Sequence, residues 1–528
     1  MTAQAIPFRE TETAIQQAFG FNKSNITIKN LNIRTFGFGI KFSQNHFSTE
    51  KAENCLILAN DITNNTYGVW LPSSLNCYVA DNYITDNTCG ASLSGCSGSV
   101  FRNNRLERNQ YAILDEGYSD NDLDTSNTID GKPIYYWINQ HDMTVPSDAG
   151  LVVLKNCSGI KVENLSLKGN GNGLLVCYTS DSTISGNILS ANLNGIILRQ
   201  SHNNVITGNQ VTDNENSGIA LTNSDNNKVL NNMVVANGDG VTCSDSENSV
   251  ISNNQIIANE RVGISAGSNC TITNNYISEN SGNGIFFSNI SGSLVSGNNV
   301  TLNKGCGIGF GYGPNGMIKG NYIAKNNVGI WISNAVENTI ISNTVTENEG
   351  LGIRLEGSHK NNLIYHNNFI DNNNRDIQAS IADVWVYPDL FKRLSPDQTP
   401  RPPQLVAGAA NAWDNGIEGN YWSDYTTRYP DTQKVENQAV CNTPYYINDN
   451  NKDNHPLLAP LEISTLEQPT PSAFPSPSIE PSQESNPTPI HTVKTEPSPF
   501  PITLAVACIA SVASICVCLL VYVRKYRH

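Results

Sequence analysis

Residues 194–214 read NGIILRQSHNNVITGNQVTDN, three short alternating segments separated by polar turns. One β-branched residue sits at the centre of each segment: Ile196, Ile206 and Val211. Alternation by two places successive side chains on opposite faces, which is strand geometry, and β-branched residues suit a pleated surface. The pattern recurs. A Gly followed by an apolar residue returns at Gly150, Gly173, Gly195, Gly218, Gly240, Gly263, Gly284, Gly307, Gly329 and Gly352, an interval of roughly 22 residues. Each of the three apolar positions keeps that interval: Leu174 to Ile353, Ile184 to Ile364, and Leu189 to Phe369. One coil cannot bury its own apolar face, so coils stacked at about 4.8 Å must supply the core. The period predicts an all-β, right-handed, single-stranded parallel β-helix, with weaker coils at Gly39, Gly68 and Gly90. A leucine-rich repeat would require a Leu-dominated consensus and helix-forming text, and neither is present.

Two asparagine columns mark the corners, Asn187 to Asn367 and Asn192 to Asn372. Asparagine tolerates left-handed turns, and stacked amides bond from coil to coil. A residue repeated in every coil is structural, which removes most polar side chains from consideration as functional groups.

The chain of 528 residues divides by composition into 1–24, irregular, with the native start and an export signal expected upstream; 25–374, the β-helix, with an insert at 116–148; 375–460, a capping segment; 461–501, a Pro/Ser/Thr-rich stalk; 502–523, a transmembrane helix; and 524–528, a basic cytoplasmic tail. The run from Ile502 to Val523 has no charged residue and precedes Arg524, Lys525 and Arg527, so the body is expected outside a cell membrane that it spans once. Dense proline in QPTPSAFPSPSIEPSQ favours an extended spacer. Eight Asn-x-Ser/Thr sequons, among them Asn289 and Asn299, are compatible with exposure outside the cell. A net charge of −15 without a basic patch in the body argues against nucleic acid as a partner. The cysteines are scattered singly, with no CxxC, and read as buried small side chains with room for one or two disulfides between adjacent turns.

Where the period breaks, the text becomes specific: NTIDGKPIYYW followed by SDAGLVVLKNC, then GNYWSDY, TPYYIND and HPL towards the end. These segments and the coil consensus resemble the NosD-type β-helix family, which is named for a periplasmic accessory protein of nitrous-oxide-reductase maturation and has surface-anchored relatives, notably in archaea. The repeat also resembles the wider pectin-lyase-like group of carbohydrate-binding and carbohydrate-cleaving proteins. One departure concerns calcium. TTRYPDTQKVENQAVCN lacks most of the acids that many relatives carry between GNYWSDY and TPY. Tyr421, Trp422 and Tyr425 are expected to cap the open end of the helix.

Function is sought on the outward column of the strand after each Gly, read as Trp70, Val152, Leu175, Ile197, Ala220, Thr242, Ser265, Phe286, Gly309, Trp331 and Arg354. Its apolar part, Val152 to Ala220, requires a cover, expected from an insert or the C-terminal segment. Phe286, Trp331, Arg354 and Trp70 are candidates for stacking on sugar rings, against the alternative that Trp385–Phe391 covers them. Glu356, Asp239 (with Asp245), Asp120 and Asp122 are weaker acidic candidates for a polysaccharide lyase or hydrolase. No cofactor is expected; calcium is left open. Copper is disfavoured by 4 Met and 8 His with only His359 and His366 sharing a coil. The expected partner is a polysaccharide, a cell-surface glycan or a neighbouring surface protein. A metalloenzyme-maturation role like that of the family's namesake is the third reading.

Overall fold

The computed structural model describes residues 17–21, 23–42, 51–72, 74–373, 377–382, 385–386, 404–405 and 410–463. The expected export signal, most of the stalk, the transmembrane helix and the tail lie outside the described residues, as do the side chains of 385–391. Among the described residues no helix is long and apolar enough to cross a membrane.

The chain winds as a parallel β-helix in which each strand pairs with its equivalent one coil on. Ile196 lies opposite Ile219, Ile206 opposite Val229, and Val211 opposite Val234. All six are fully buried. The asparagines form continuous amide ladders between coils. From Asn187 to Asn420 each Nδ2 donates to the next Oδ1 at 2.9–3.0 Å. Each Oδ1 also accepts from the backbone N–H of the preceding coil's asparagine, as Asn254 does from Asn232 at 2.9 Å. Burial of a whole amide is tolerated because both ends are satisfied. Asn254→Ala removes the acceptor for Asn232 Nδ2 and the donor to Val229 O and Asn275 Oδ1. It should lower unfolding free energy by about 2–4 kcal/mol. The nearby outward Gln255→Ala should stay within about 0.5 kcal/mol, both by denaturant unfolding.

The glycine column is explained by the same corner. A Cβ on Gly263 would lie 2.6 Å from Gly284 O and 2.9 Å from Asn280 Nδ2, so only Gly lets the chain pass the ladder.

The helix is not one uninterrupted stack. Residues 116–148, expected as an insert, supply three strands: Asp122–Leu123, Thr128–Ile129 and Lys132–Ile138. Asp130 and Gly131 take positive φ (46° and 78°) and turn the chain back, so Thr128 faces Pro133 in antiparallel pairing. An Asp-Gly pair is the residue choice for such a tight hairpin. From there the strands run parallel again, with Ile134 opposite Leu151. One sheet therefore continues from Asn32–Arg34 through this hairpin to Ala379–Ala382, and the core changes sides at the turn. Before it, Ile33, Ile62 and Leu106 belong to a first stack; after it, Leu174, Ile196 and Ile219 belong to a second.

This switch corrects the reading of the outward strip. Val152 pairs with Leu174, so Val152 points inward; Leu151 and Val153 point outward with Leu175, Ile197 and Ala220. The strip is covered by the first stack, whose core it joins, rather than by an insert or the C-terminal segment. Tyr111–Leu114, the last strand of its own sheet in the first stack, is met by backbone bonds from Ala112 to Gly169 (2.8 Å) and from Gly171 to Ile113 (3.0 Å), which cover that edge. A cavity of about 10 Å³ lined by Val79, Leu106, Leu123 and Ile134 remains where that stack ends.

Charge is buried at the joint. Asp115 and Lys155, 6% and 2% exposed, lie 3.4 Å apart. Asp115 accepts from the Tyr136 hydroxyl (2.8 Å) and from Gly117 N (2.7 Å), while Lys155 donates to Ser119 O (2.5 Å). Burial and the Asp115 charge hold the Tyr136 phenol well above its ordinary pKa, so it remains a donor. Every lone pair that matters has a donor, the condition under which a buried ion pair is tolerated.

Candidate functional site

Four outward positions on successive coils of the second stack stand in register: Phe286, Gly309, Trp331 and Arg354. Phe286 and Trp331 are half-buried and Arg354 is exposed. Gly309 makes the surface possible. A Cβ there would meet Trp331 Cε3 at 3.2 Å and Phe286 Cδ2 at 3.7 Å, so the missing side chain lets two rings flank one backbone position. Glu356 accepts from Trp331 Nε1 at 3.0 Å and forms an ion pair with Arg354. The carboxylate thus fixes the indole and the guanidinium together. Cys306 borders the patch, its thiol pushed up to about 11 by burial, and sequence period alone did not single it out.

Trp70 lies elsewhere, on the first stack. It stacks on Phe38 at 4.7 Å, and the Lys41 ammonium sits 4.5 Å and 4.6 Å from the two ring centres. Tyr67 completes this cluster. The aromatic faces are already occupied by the protein's own cation, so Trp70 is separated from the Phe286 group in both place and chemistry.

The acidic candidates do not converge. Asp239 pairs with Arg261 at 2.8 Å, Asp122 with Arg102 at 2.5 Å, and Asp245 is a turn residue at φ 48°. Asp120 is exposed beside the joint, next to the Ser119 carbonyl that Lys155 occupies.

At the far end, Trp422 is 1% exposed and lies between Phe369 and Tyr445, with ring centres at 4.7 Å and 4.2 Å. Tyr425 is buried beside it, whereas Tyr421 faces outward, opposite Asn368. The amide ladder runs on into this segment through Asn420, whose N–H ends on Asp453 Oδ2 at 2.7 Å. Asp453 also accepts from Trp422 Nε1 (2.9 Å) and His455 N (3.0 Å), yet desolvation raises its carboxyl to about 6. A carboxyl raised from about 3.9 binds its proton more tightly in the fold, so its stabilising effect is full below pH about 4 and is lost as pH rises through about 6. Thermal unfolding at pH 4.5 and 7 should show wild type losing stability across this window and Asp453→Asn losing less. Equal slopes would remove Asp453 as the cause.

The family profile described as "Periplasmic copper-binding protein (NosD)" matches residues 9–142, 137–283 and 262–427, most of the chain. The chain belongs to the NosD family. No curated protein matches it. Among solved structures, this NosD-family chain is similar to the A-module of Azotobacter vinelandii mannuronan C-5 epimerase AlgE4 (17% identity, 58% of this chain and 88% of that one, TM-score 0.38). It is also similar to the Dettilon tailspike protein gp208 (14%, 61% and 63%, 0.37) and the Agl-KA catalytic domain (13%, 62% and 61%, 0.33).

The family description names copper, and the donors among the described residues are not grouped to hold a copper ion. Among the described residues no group of three or more His, Cys, Asp or Glu is placed to hold a metal. His359 is fully buried with Nδ1 against Asn411 Nδ2 at 3.0 Å, and His366 is bonded to Glu418 at 2.9 Å. All ten described cysteines are free thiols. Burial pushes Cys89 and Cys177 up to about 12 and Cys96 and Cys270 to about 11, keeping these four thiols protonated, whereas a hydrogen bond with Cys77 lowers the Cys55 thiol to about 7.

Proposed function

We propose that the second stack is a glycan-binding surface, displayed outside the cell on the Pro/Ser/Thr-rich stalk and anchored by the apolar segment Ile502–Val523. The observation that carries this reading is the ordered pair of rings at Phe286 and Trp331 with Arg354 in the same column. Two coils separate the rings, about 9.6 Å along the stack. Alternate sugars of a chain lying along the helix axis stack on such rings, and the guanidinium bonds hydroxyl or carboxylate groups at the chain's side. The surface binds without cleaving: Glu356 is engaged by both Trp331 and Arg354, and Asp239 and Asp122 are each paired with an arginine away from the rings.

Trp331→Ala should reduce affinity for the recognised oligosaccharide on a glycan array tenfold or more, about 1.4 kcal/mol. Asp239→Asn and Asp122→Asn should leave it unchanged. Release of reducing ends or unsaturated uronate by the protein would replace this reading with a polysaccharide hydrolase or lyase. Stoichiometric copper retention would favour metalloenzyme maturation.

A further inference from the structure

In the first stack the pairing between coils brings two thiols together. Glu53 bridges to Leu75, Leu56 lies opposite Tyr78, and Tyr78 N donates to Cys55 O at 2.8 Å. Cys55 therefore stands directly over Cys77 of the next coil. The residues before them, Asn54 and Asn76, make the same left-handed turn (φ 54° and 52°), so both side chains leave the backbone in the same direction. Both point inward, 0% and 1% exposed, and both are reduced in this structure. The coil spacing sets their Cα atoms about 4.8 Å apart, inside the roughly 4.4–6.8 Å that a disulfide spans. The two thiols are hydrogen-bonded to one another.

The column they occupy normally carries oxygen. Each side chain in it accepts from the backbone N–H of the coil before: Cys77 N donates to Ser99 Oγ at 3.0 Å, and Ser99 N donates to Asn121 Oδ1 at 3.1 Å. The corresponding column of the second stack does the same, from Ile160 through Ser182 and Asn204 to Asn227. Thiol sulfur is a weak acceptor, so Cys77 beneath Cys55 is a poor rung of that ladder. A covalent bond between the coils is what two stacked sulfurs offer in its place. Other cysteines are not so placed: Cys89 lies opposite Tyr67 and Tyr111, and Cys243 opposite Leu221 and Ala266.

We propose that Cys55 and Cys77 are joined as a disulfide in the mature protein, a covalent rung between adjacent coils of the first stack. The inference rests on display outside the cell, where thiols are oxidised. The oxidant is a disulfide carrier of that compartment. The Cys55 thiolate attacks one carrier sulfur and releases the other as a thiolate; the Cys77 thiolate then displaces the carrier from the mixed disulfide. Two electrons and two protons leave with the carrier, now a dithiol. Both steps precede closure of the coils, because the sulfurs are buried afterwards.

Peptide mapping of the full chain taken from its own membranes tests this. After denaturation, alkylation without prior reduction and chymotryptic digestion, the Cys55 and Cys77 peptides should appear joined, lighter than their sum by two hydrogens and separated only by a reductant. Less than about a tenth of either thiol should be alkylated, as expected of a structural disulfide, while Cys89 and Cys243 are alkylated in the same digest. Alkylated Cys55 and Cys77, or a link from Cys77 to Cys96, would overturn the proposal. Labelling of intact cells with a membrane-impermeant amine reagent reads display separately. A labelled body with both thiols alkylated defeats the disulfide alone, whereas joined peptides from an unlabelled body support the disulfide and defeat the display.

Discussion

Lys155→Ala should lower the unfolding free energy by about 3–5 kcal/mol, because it strands Asp115 as a buried charge at the joint between the stacks. The Tyr136 hydroxyl and Gly117 N–H would remain on the carboxylate, but neither carries a positive charge. Lys155 also lies 4.9 Å from the Tyr136 ring centre, so the substitution removes packing as well. The loss should register first on the upstream stack. Hydrogen exchange of strands such as Leu56–Leu58 and Tyr78–Ala80 should accelerate before that of strands near Ile323. The double variant Asp115→Asn/Lys155→Met should recover much of the stability, since it removes both charges. A loss under about 1 kcal/mol in Lys155→Ala would mean that the ion pair is not what holds the joint.

Trp422→Ala should cost a similar amount, about 3–5 kcal/mol, for a different reason. Its ring is the layer between Phe369 and Tyr445, so truncation leaves a cavity on the last coil and removes one donor from Asp453. With the cap loosened, the strand Asn368–Ile370 becomes an accessible edge, and concentration-dependent aggregation should follow. Trp422→Phe retains a ring in the layer and should cost about 1–3 kcal/mol, the scale of an unsatisfied buried acceptor. Denaturant unfolding with light scattering distinguishes the two contributions. Equal behaviour of the two variants would show that the indole N–H, not the ring, is what matters.

The coils of the second stack were legible because inward residues repeat at a fixed interval, and the interval survives small insertions at the turns. Ile206, Val229 and Ile251 could be aligned by period alone, and they stand opposite one another in the sheet. Phe286, Trp331 and Arg354 were legible for the same reason, since they share a column counted from their glycines. The first coil after the hairpin was not. Counting from Gly150 put Val152 outward, but this coil enters from a reversed strand and its register is one residue displaced. The Asp-Gly turn at 130–131 carried a recognisable hairpin signal, yet its effect, moving the core to the other side of a sheet, depends on pairing with strands far away in sequence. Asp115 with Lys155, and Asp453 with Trp422, are likewise pairs without period. Partnerships made once leave no repeat to read.

The amide ladders treat every coil alike, and that has a consequence for how such a molecule changes size. A duplicated or deleted coil meets the same donors above and acceptors below, so nothing between the joint and the cap must be redesigned. Length becomes a quantised trait, altered in steps of about 4.8 Å. Each step also carries the aromatic column nearer to or farther from the capped end. Reach and spacing can thus be tuned by counting coils, independently of the chemistry that any single coil displays.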